Sequence, residues 1–480
     1  MSTPIAKINL ENLTYLIPGG YNAAPFSAEL DLWELPRAQS FKGLWRWWLR
    51  ALLSGALWES GKLDEAKVQE ATGKLLGSTE QASKLTIQVA TKGSAIPISS
   101  AFIKKWKSQE RQLRITPNCI LTGFPQITPI PSIPPRLFLL LQATEVYERL
   151  AEKISCYPPS TLEITVELLK RPFVNLSSEE CRVAVSALLL SLTFGGIGAI
   201  TKRGFGSLSL ISIDLHEDLQ EYKQIMEEIK EAKEPNVTRN CLNKLVQESL
   251  ADAQELLSVK GTVAPKEAPE YPVLSMPGNP PQDVKSFNLN VFKMIIPDVT
   301  PREEKAFQLL GFKDYETMKL LTIIGYSTTK LFWKYAENKK FFTRGLPYDT
   351  WIMGLPRGQE FKKERLSVPY FEVELSENSI RSNVQWDTLN TGYSVDNKNR
   401  RTSAISIVPI KRLDKYSWIV ALYGFLSRDW PDTLYHYGVS PPPKLGVKKY
   451  EVRKTSIRSS QSVRAFIQAW NMVKMMYGVM

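Results

Sequence analysis

The chain has 480 residues, of which 43% are apolar and 23% charged, enough apolar material for roughly two to four cored domains and too much for a disordered or fibrous chain. Lys and Arg number 61 against 49 Asp and Glu, a formal charge of +12, which favours a polyanion as partner, either a nucleic acid or an acidic membrane surface. Cys119, Cys156, Cys181 and Cys241 form no C-x-x-C, and His216 and His436 are the only histidines, so a zinc site lacks ligands and no metal or cofactor is expected. MSTPIAKINL has no apolar core of a secretory signal, and with reduced thiols this points to the cytoplasm.

In chain order, KINLENLTYL reads as a strand entering a turn at Pro18, Gly19 and Gly20. SFKGLWRWWLRALLSG, residues 40–55, reads as a helix with Ser40 as N-cap and Gly55 as a stop. Phe41, Leu44, Trp45, Trp48, Leu49 and Leu52 make one apolar stripe, and Lys42, Arg46 and Arg50 a cationic stripe beside it. Lys42 in a first turn would oppose the helix dipole, and Gly43 inside a helix costs about 1 kcal/mol relative to Ala. A bound anion would offset the first, and close backbone approach would explain the second; a solvated basic face is the alternative.

Residues 84–170 mix strand candidates (LTIQVA, RLFLLLQ, LEITVELL) with Pro-rich connections such as PQITPIPSIPP. A helix follows, opened by the capping box Ser177 and Glu180. Val183 to Thr201 carries no charge over a length near that of a membrane span, but its glycines gather at one end and its serines and threonines weaken the apolar pattern, so a buried helix running into a loop is the reading.

That loop is FGGIGAITKRGFGSLSL, residues 194–210, followed by a strand. Helix, loop, strand is the reverse of a P-loop, and Thr201 stands where G-x-G-x-x-G needs glycine, so a nucleotide-binding reading fails. Strand, helix, strands, helix, strand is the β-α-β-β-α-β order of a ferredoxin-like fold with insertions.

From Glu217 to about Val259 the chain is polar and helical with a break near Pro235; prolines then crowd Pro265 to Pro281 as a linker or arm. Beyond it, SFNLNVFKMII and SAISIVPI read as strands, and Val463, Phe466, Ile467, Trp470 and Val473 mark the core side of a closing helix. The expected division is 1–215, a helical and Pro-rich 216–285, and a second α+β domain over 286–480.

PGGYNAAPFSAEL, SFKGLWRWWLRAL and GGIGAITKRGFGSL together resemble the RAMP superfamily of CRISPR proteins, and most closely the first RAMP subunit of type III-B Cmr effector complexes. NKNRRTSAISIVPIKR, residues 397–412, is similar to a basic segment entering a strand in the same family. The resemblance implies an α+β chain of two ferredoxin-like (RRM-like) domains. It also implies a place beside other RAMP subunits, near the 3′ end of the guide RNA and holding guide and target RNA, with target cutting done by another subunit.

The residues themselves suit binding better than cutting. Neither histidine has an evident partner in the sequence, His436 is expected in a loop, and Asp31 with Glu34 is a lone carboxylate pair. Gly195, Gly196, Gly198, Gly204 and Gly206 would let backbone N–H groups near a phosphate, Lys202 and Arg203 would supply charge, and Phe205 would stack on a base or plug the core. Lys42, Gly43, Arg46 and Arg50 would line the same groove if helix and loop pack together, and Lys398, Arg400 and Arg401 form the best basic cluster of the second half. Lys448, Lys449, Arg453 and Lys454 suit a solvated surface or a subunit contact. The competing readings are a RAMP endoribonuclease that processes guide RNA and a pure protein scaffold.

Overall fold

Alternation builds the first sheet. Ala6, Ile8 and Leu10 of strand β1 (Thr3–Asn12) turn inward, while Lys7, Asn9 and Glu11 turn out. Two helices follow, α1 (Ala38–Glu59) and α2 (Glu65–Leu76), then β2 (Leu85–Gly93), β3 (Leu162–Lys170), α3 (Ser178–Phe194) and β4 (Leu208–Leu215). The strands lie in the order β2-β3-β1-β4, each antiparallel to its neighbour, which is the ferredoxin-like arrangement expected from the element order. The computed structural model describes residues 3–18, 26–27, 32–33, 35–98, 134, 137, 155–260, 267–328, 349–354, 357–362, 371–373, 388–394, 402–431, 433–439, 448–456 and 459–477.

Helices α4 (Gln220–Glu231) and α5 (Pro235–Leu256) fill the middle, with Pro235 opening α5 where a missing N–H costs nothing. The second half starts with β5 (Phe287–Ile295), α6 (Pro301–Leu309) and α7 (Tyr315–Ser327). Next come β6 (Arg357–Lys362), β7 (Phe371–Val373), β8 (Thr388–Ser394), the hairpin β9 (Ile405–Arg412) and β10 (Ser417–Phe425), β11 (Thr433–Val439), β12 (Lys448–Ser456) and α8 (Ser459–Met476). Strands β9-β10-β5 form an antiparallel sheet that repeats three of the four ferredoxin-like positions, with no fourth strand among the described residues. Strands β6-β8-β11-β12-β7 form a separate sheet drawn from segments on either side of the β9–β10 hairpin. His436 lies within β11, opposite Tyr393 and Arg453, rather than in a loop, because TLYHYGV pairs on both edges.

The two halves share their interior. One face of β10 (Ile419, Ala421, Tyr423, Phe425) joins the core made by the first sheet, α1, α3 and α5; the other face (Trp418, Val420, Leu422) packs with α7 and α8. A smaller cluster at the seam joins Tyr15, Ile17 and Phe205 to Phe307, Phe312, Met318 and Leu321.

The capping box at Ser177 and Glu180 is formed, with the Ser177 hydroxyl accepting from the Glu180 N–H at 3.2 Å and the Glu180 carboxylate accepting from the Ser177 N–H at 3.0 Å. Helix α3 ends at Phe194, and no helix among the described residues is long and apolar enough to cross a membrane. Two details of α1 differ from the sequence reading. The helix begins at Ala38 with Arg37 as N-cap, so Lys42 stands in the second turn, where the dipole penalty has largely faded. It also runs through Gly55, because the segment around Leu274 crosses there: the Leu274 N–H donates to the Ala51 carbonyl at 2.8 Å, and a Cβ on Gly55 would overlap the Leu274 carbonyl. Part of the Pro-rich stretch is thus a strap laid across α1. Gly55→Val should lower stability by about 3 kcal/mol, read as a fall in urea midpoint at constant slope; an unchanged midpoint would show that the strap is not seated on the helix.

Candidate nucleic-acid interface

Helix α1 cannot point all its tryptophans the same way. Trp45 and Trp48 are buried: the Trp45 Nε1 donates to the Ala184 carbonyl at 2.8 Å, and Trp48 stacks on Phe194 with ring centroids 5.5 Å apart. Trp47 falls off that stripe and is 39% exposed, on a ridge with Gly43 and Arg50 at helical spacing. Nothing in the described chain lies within 4 Å of where a Gly43 Cβ would sit, so the ridge is open there.

The glycine loop lies along one flank of this ridge. A Cβ on Gly195 would come within 2.6 Å of Leu44 Cδ2, and the Lys202 ammonium stands 5.7 Å from the ring centroids of both Trp47 and Tyr423. Tyr423, which donates its hydroxyl hydrogen to the Phe194 carbonyl at 2.7 Å, belongs to the second half, and its burial pushes the phenol up to about 12. Lys42 and Arg46 occupy the other flank. The Arg46 guanidinium donates to the carbonyls of Leu76 at 3.0 Å and Gly77 at 2.6 Å, closing the C-terminus of α2. Arg50 reaches Glu65 at 3.4 Å in the open. Lys42 makes no ion pair among the described residues; burial first, then Arg46 and Arg171, hold its ammonium below the ordinary lysine range.

Inside the loop, the glycines serve the fold, which corrects the phosphate cradle expected of them. The N–H groups of Ile197, Ala199 and Gly206 donate to the carbonyls of Gly206, Ile17 and Tyr15 at 2.8–2.9 Å, so this backbone is fastened to residues 15–17 and to itself. Gly195 closes α3, its N–H donating to the Ser191 carbonyl at 2.9 Å, and the Gly204 N–H donates to the Thr201 carbonyl at 3.2 Å. Gly196, expected to meet RNA, is buried instead, with left-handed backbone (φ +67°). A Cβ there would sit 3.2 Å from both the Gly206 carbonyl oxygen and Thr201 Cβ, so Gly196 is small to let the loop fold back on itself. Gly198 (φ +95°) and Gly206 (φ +64°) are also left-handed, and side chains there would strike the carbonyls of Ile17 and Ile197. Ile200 holds φ +63°, a conformation a β-branched residue rarely adopts, at the half-buried tip beside Lys202.

Residues 37–209, from the start of α1 to the strand after the loop, match the sequence model of the RAMP superfamily. They form a RAMP domain. No curated protein matches the chain. Among solved structures, apo Cmr1 from Pyrococcus furiosus is similar at 16% identity and TM-score 0.45, covering 89% of this chain and 90% of its own. A chain of the type III-B Cmr-beta complex bound to cognate target RNA is similar at 15% identity and TM-score 0.46, covering 98% of this chain and 100% of its own. A further Cmr-beta structure, with target RNA, AMPPnP and single-stranded DNA, contains a chain similar at 14% identity and TM-score 0.49, covering 100% of each.

Arg203, expected to supply charge to a ligand, is inside the seam between the RAMP domain and the second half, and Phe205 beside it takes the core-plug alternative. Arg203 is 4% exposed; its Nε donates to Thr328 Oγ1 at 3.1 Å, Nη1 to the carbonyls of Lys202 and Ile405 at 2.8 and 3.1 Å, and Nη2 to the Met353 carbonyl and Ser403 Oγ at 3.3 Å each. Phe205 is fully buried among Tyr15, Phe307 and Met318. Gly204 beside them faces Pro409 and Ile324, where a Cβ would sit 3.0–3.1 Å away. Neither Arg203 nor Phe205 can meet a ligand, because the contacts that would serve one are spent on the other half of the chain. Lys398, Arg400 and Arg401, and the pair Asp31 and Glu34, lie outside the described residues. The side chains of Lys448, Lys449, Arg453 and Lys454 are also outside them. Trp47 is a candidate contact residue that the apolar stripe does not single out; its signal in the sequence is an aromatic residue off that stripe. Arg203→Met should cost roughly 3 kcal/mol or more by orphaning buried acceptors, while Lys202→Ala should stay within about 1 kcal/mol, compared by thermal and urea unfolding. Equal effects would mean that Arg203 is not the seam's anchor.

Proposed function

We propose that the chain is a non-catalytic RNA-binding subunit of a type III-B CRISPR (Cmr) effector complex. It holds guide RNA near its 3′ end, and target RNA, beside other RAMP subunits. The observation that carries this reading is the open strip across α1: Lys202 over the exposed ring of Trp47, bare backbone at Gly43, then Lys42. A ribose-phosphate chain needs those three things: a cation for phosphate, a π face for a base and room to approach the helix. The net charge of +12 and the RAMP domain agree with it.

Contacts of this kind follow backbone and shape, so sequence preference should be weak. In an anisotropy titration of the full chain with labelled single-stranded RNA across a salt series, Lys202→Ala should reduce the log–log slope by about 0.7. Trp47→Ala should cost about 1–3 kcal/mol of affinity with the slope kept. Unchanged affinity in both variants at every salt concentration would remove the strip from the account. A second expectation concerns Gly43, where an added methyl meets nothing in the chain. Gly43→Ala should therefore raise stability by up to about 1 kcal/mol yet weaken RNA binding; a gain in both would show that the open backbone serves no ligand. Discrete cleavage of a labelled guide precursor by the purified chain, abolished by one point mutation, would favour the processing-endoribonuclease reading.

A further inference from the structure

At the far flank of α1, past Lys42 and Arg46, the turn between α2 and β2 (81–84) faces the turn between β3 and α3 (171–174) across a groove of about 570 Å³. Ser83, Thr86 and Gln88 give it a polar wall, Leu169 and Val174 an apolar one, and Arg171 stands in it. Arg171 donates from Nε to Thr86 Oγ1 at 3.3 Å and has no carboxylate partner among the described residues. Glu180, in the first turn of α3, is neutralised by Lys84 at 2.6 and 2.7 Å, and Glu80, on the turn between α2 and β2, points into solvent as an exposed residue. Arg171 lies on the Lys42 side of α1: after burial and Arg46, its charge is the third influence that holds the Lys42 ammonium low.

Phe173 stands between two groove residues, Pro172 and Val174, fully exposed and with φ +61°. A large aromatic ring held in left-handed backbone with no neighbour to cover it is unfavourable twice over, and nothing within the described chain compensates. Such strain is kept where the ring has a partner outside the fold, and the partner must suit a guanidinium with no carboxylate partner among the described residues, one polar and one apolar wall, and an uncovered ring. A single-stranded polynucleotide does.

We infer that the groove beside Phe173 is a second RNA station, in which Arg171 takes a phosphate and Phe173 stacks on a base of the same strand that crosses Trp47. This rests on the RNA-binding reading of α1, and strand length separates the two. A short oligouridylate (about 4 nucleotides) can occupy the Trp47 strip alone, whereas a longer one (about 16 nucleotides) spans both stations. Full-length protein titrated with each should show Phe173→Ala and Arg171→Ala weakening the long RNA about tenfold and leaving the short one unchanged, while Trp47→Ala weakens both. Phe173→Trp should keep or improve the affinity for the long RNA; Phe173→Leu should lose it. If Trp47→Ala weakens binding but Phe173→Ala and Arg171→Ala do not at either length, the second station is overturned and the strip stands. If Phe173→Leu binds long RNA as wild type does, an apolar protein contact replaces the stacking role and the inference fails. Absence of any RNA binding by the wild-type chain would overturn both.

Discussion

A buried guanidinium orders this molecule. Arg203 reaches out of the glycine loop of the RAMP domain into the second half, donating to carbonyls at Ile405 and Met353 and to hydroxyls at Thr328 and Ser403. A charge this deep is tolerated only because its donors are met by a dense set of acceptors. Those acceptors come from separate segments, so the loop's conformation and the joining of the halves are one constraint. With Arg203 drawn inward and Phe205 plugged behind it, the preceding residue has no route but outward, and Lys202 emerges over Trp47.

The division of labour that results differs from the usual picture of a glycine-rich phosphate loop. The glycines here permit crossing of backbones at Ile17 and Ile197 and the close return of the loop over Gly196, and N–H groups of the loop are consumed in doing so. In the proposed reading, binding falls instead to the neighbouring helix, where Gly43 faces open space. Gly55, on the same helix, is small for the opposite reason: the Leu274 strap lies on it. One helix thus uses two glycines for two unrelated approaches, one by its own chain and one left free.

Much of the fold was legible. The capping box at Ser177, the alternation in β1 and the Pro235 break each act within a few residues, and a local signal survives in sequence. The ferredoxin-like order followed from them because element order and handedness leave few topologies. What could not be read depends on contacts distant along the chain. Arg203 and Lys202 are adjacent cations with opposite fates, decided by Ile405, Met353 and Tyr423, each at least 150 residues away. Gly55 reads as a stop until the strap that crosses it is seen. Trp47 was legible in principle, since WRWW cannot bury three rings on one stripe, but three tryptophans together read as core.

The most direct test is photocrosslinking of the assembled ribonucleoprotein followed by residue-level mapping of RNA-linked peptides. Adducts are expected on the peptides that carry Trp47 and Lys202, with none on Arg203 or Phe205. Adducts confined to surfaces away from α1 and the glycine loop would refute this placement of the RNA.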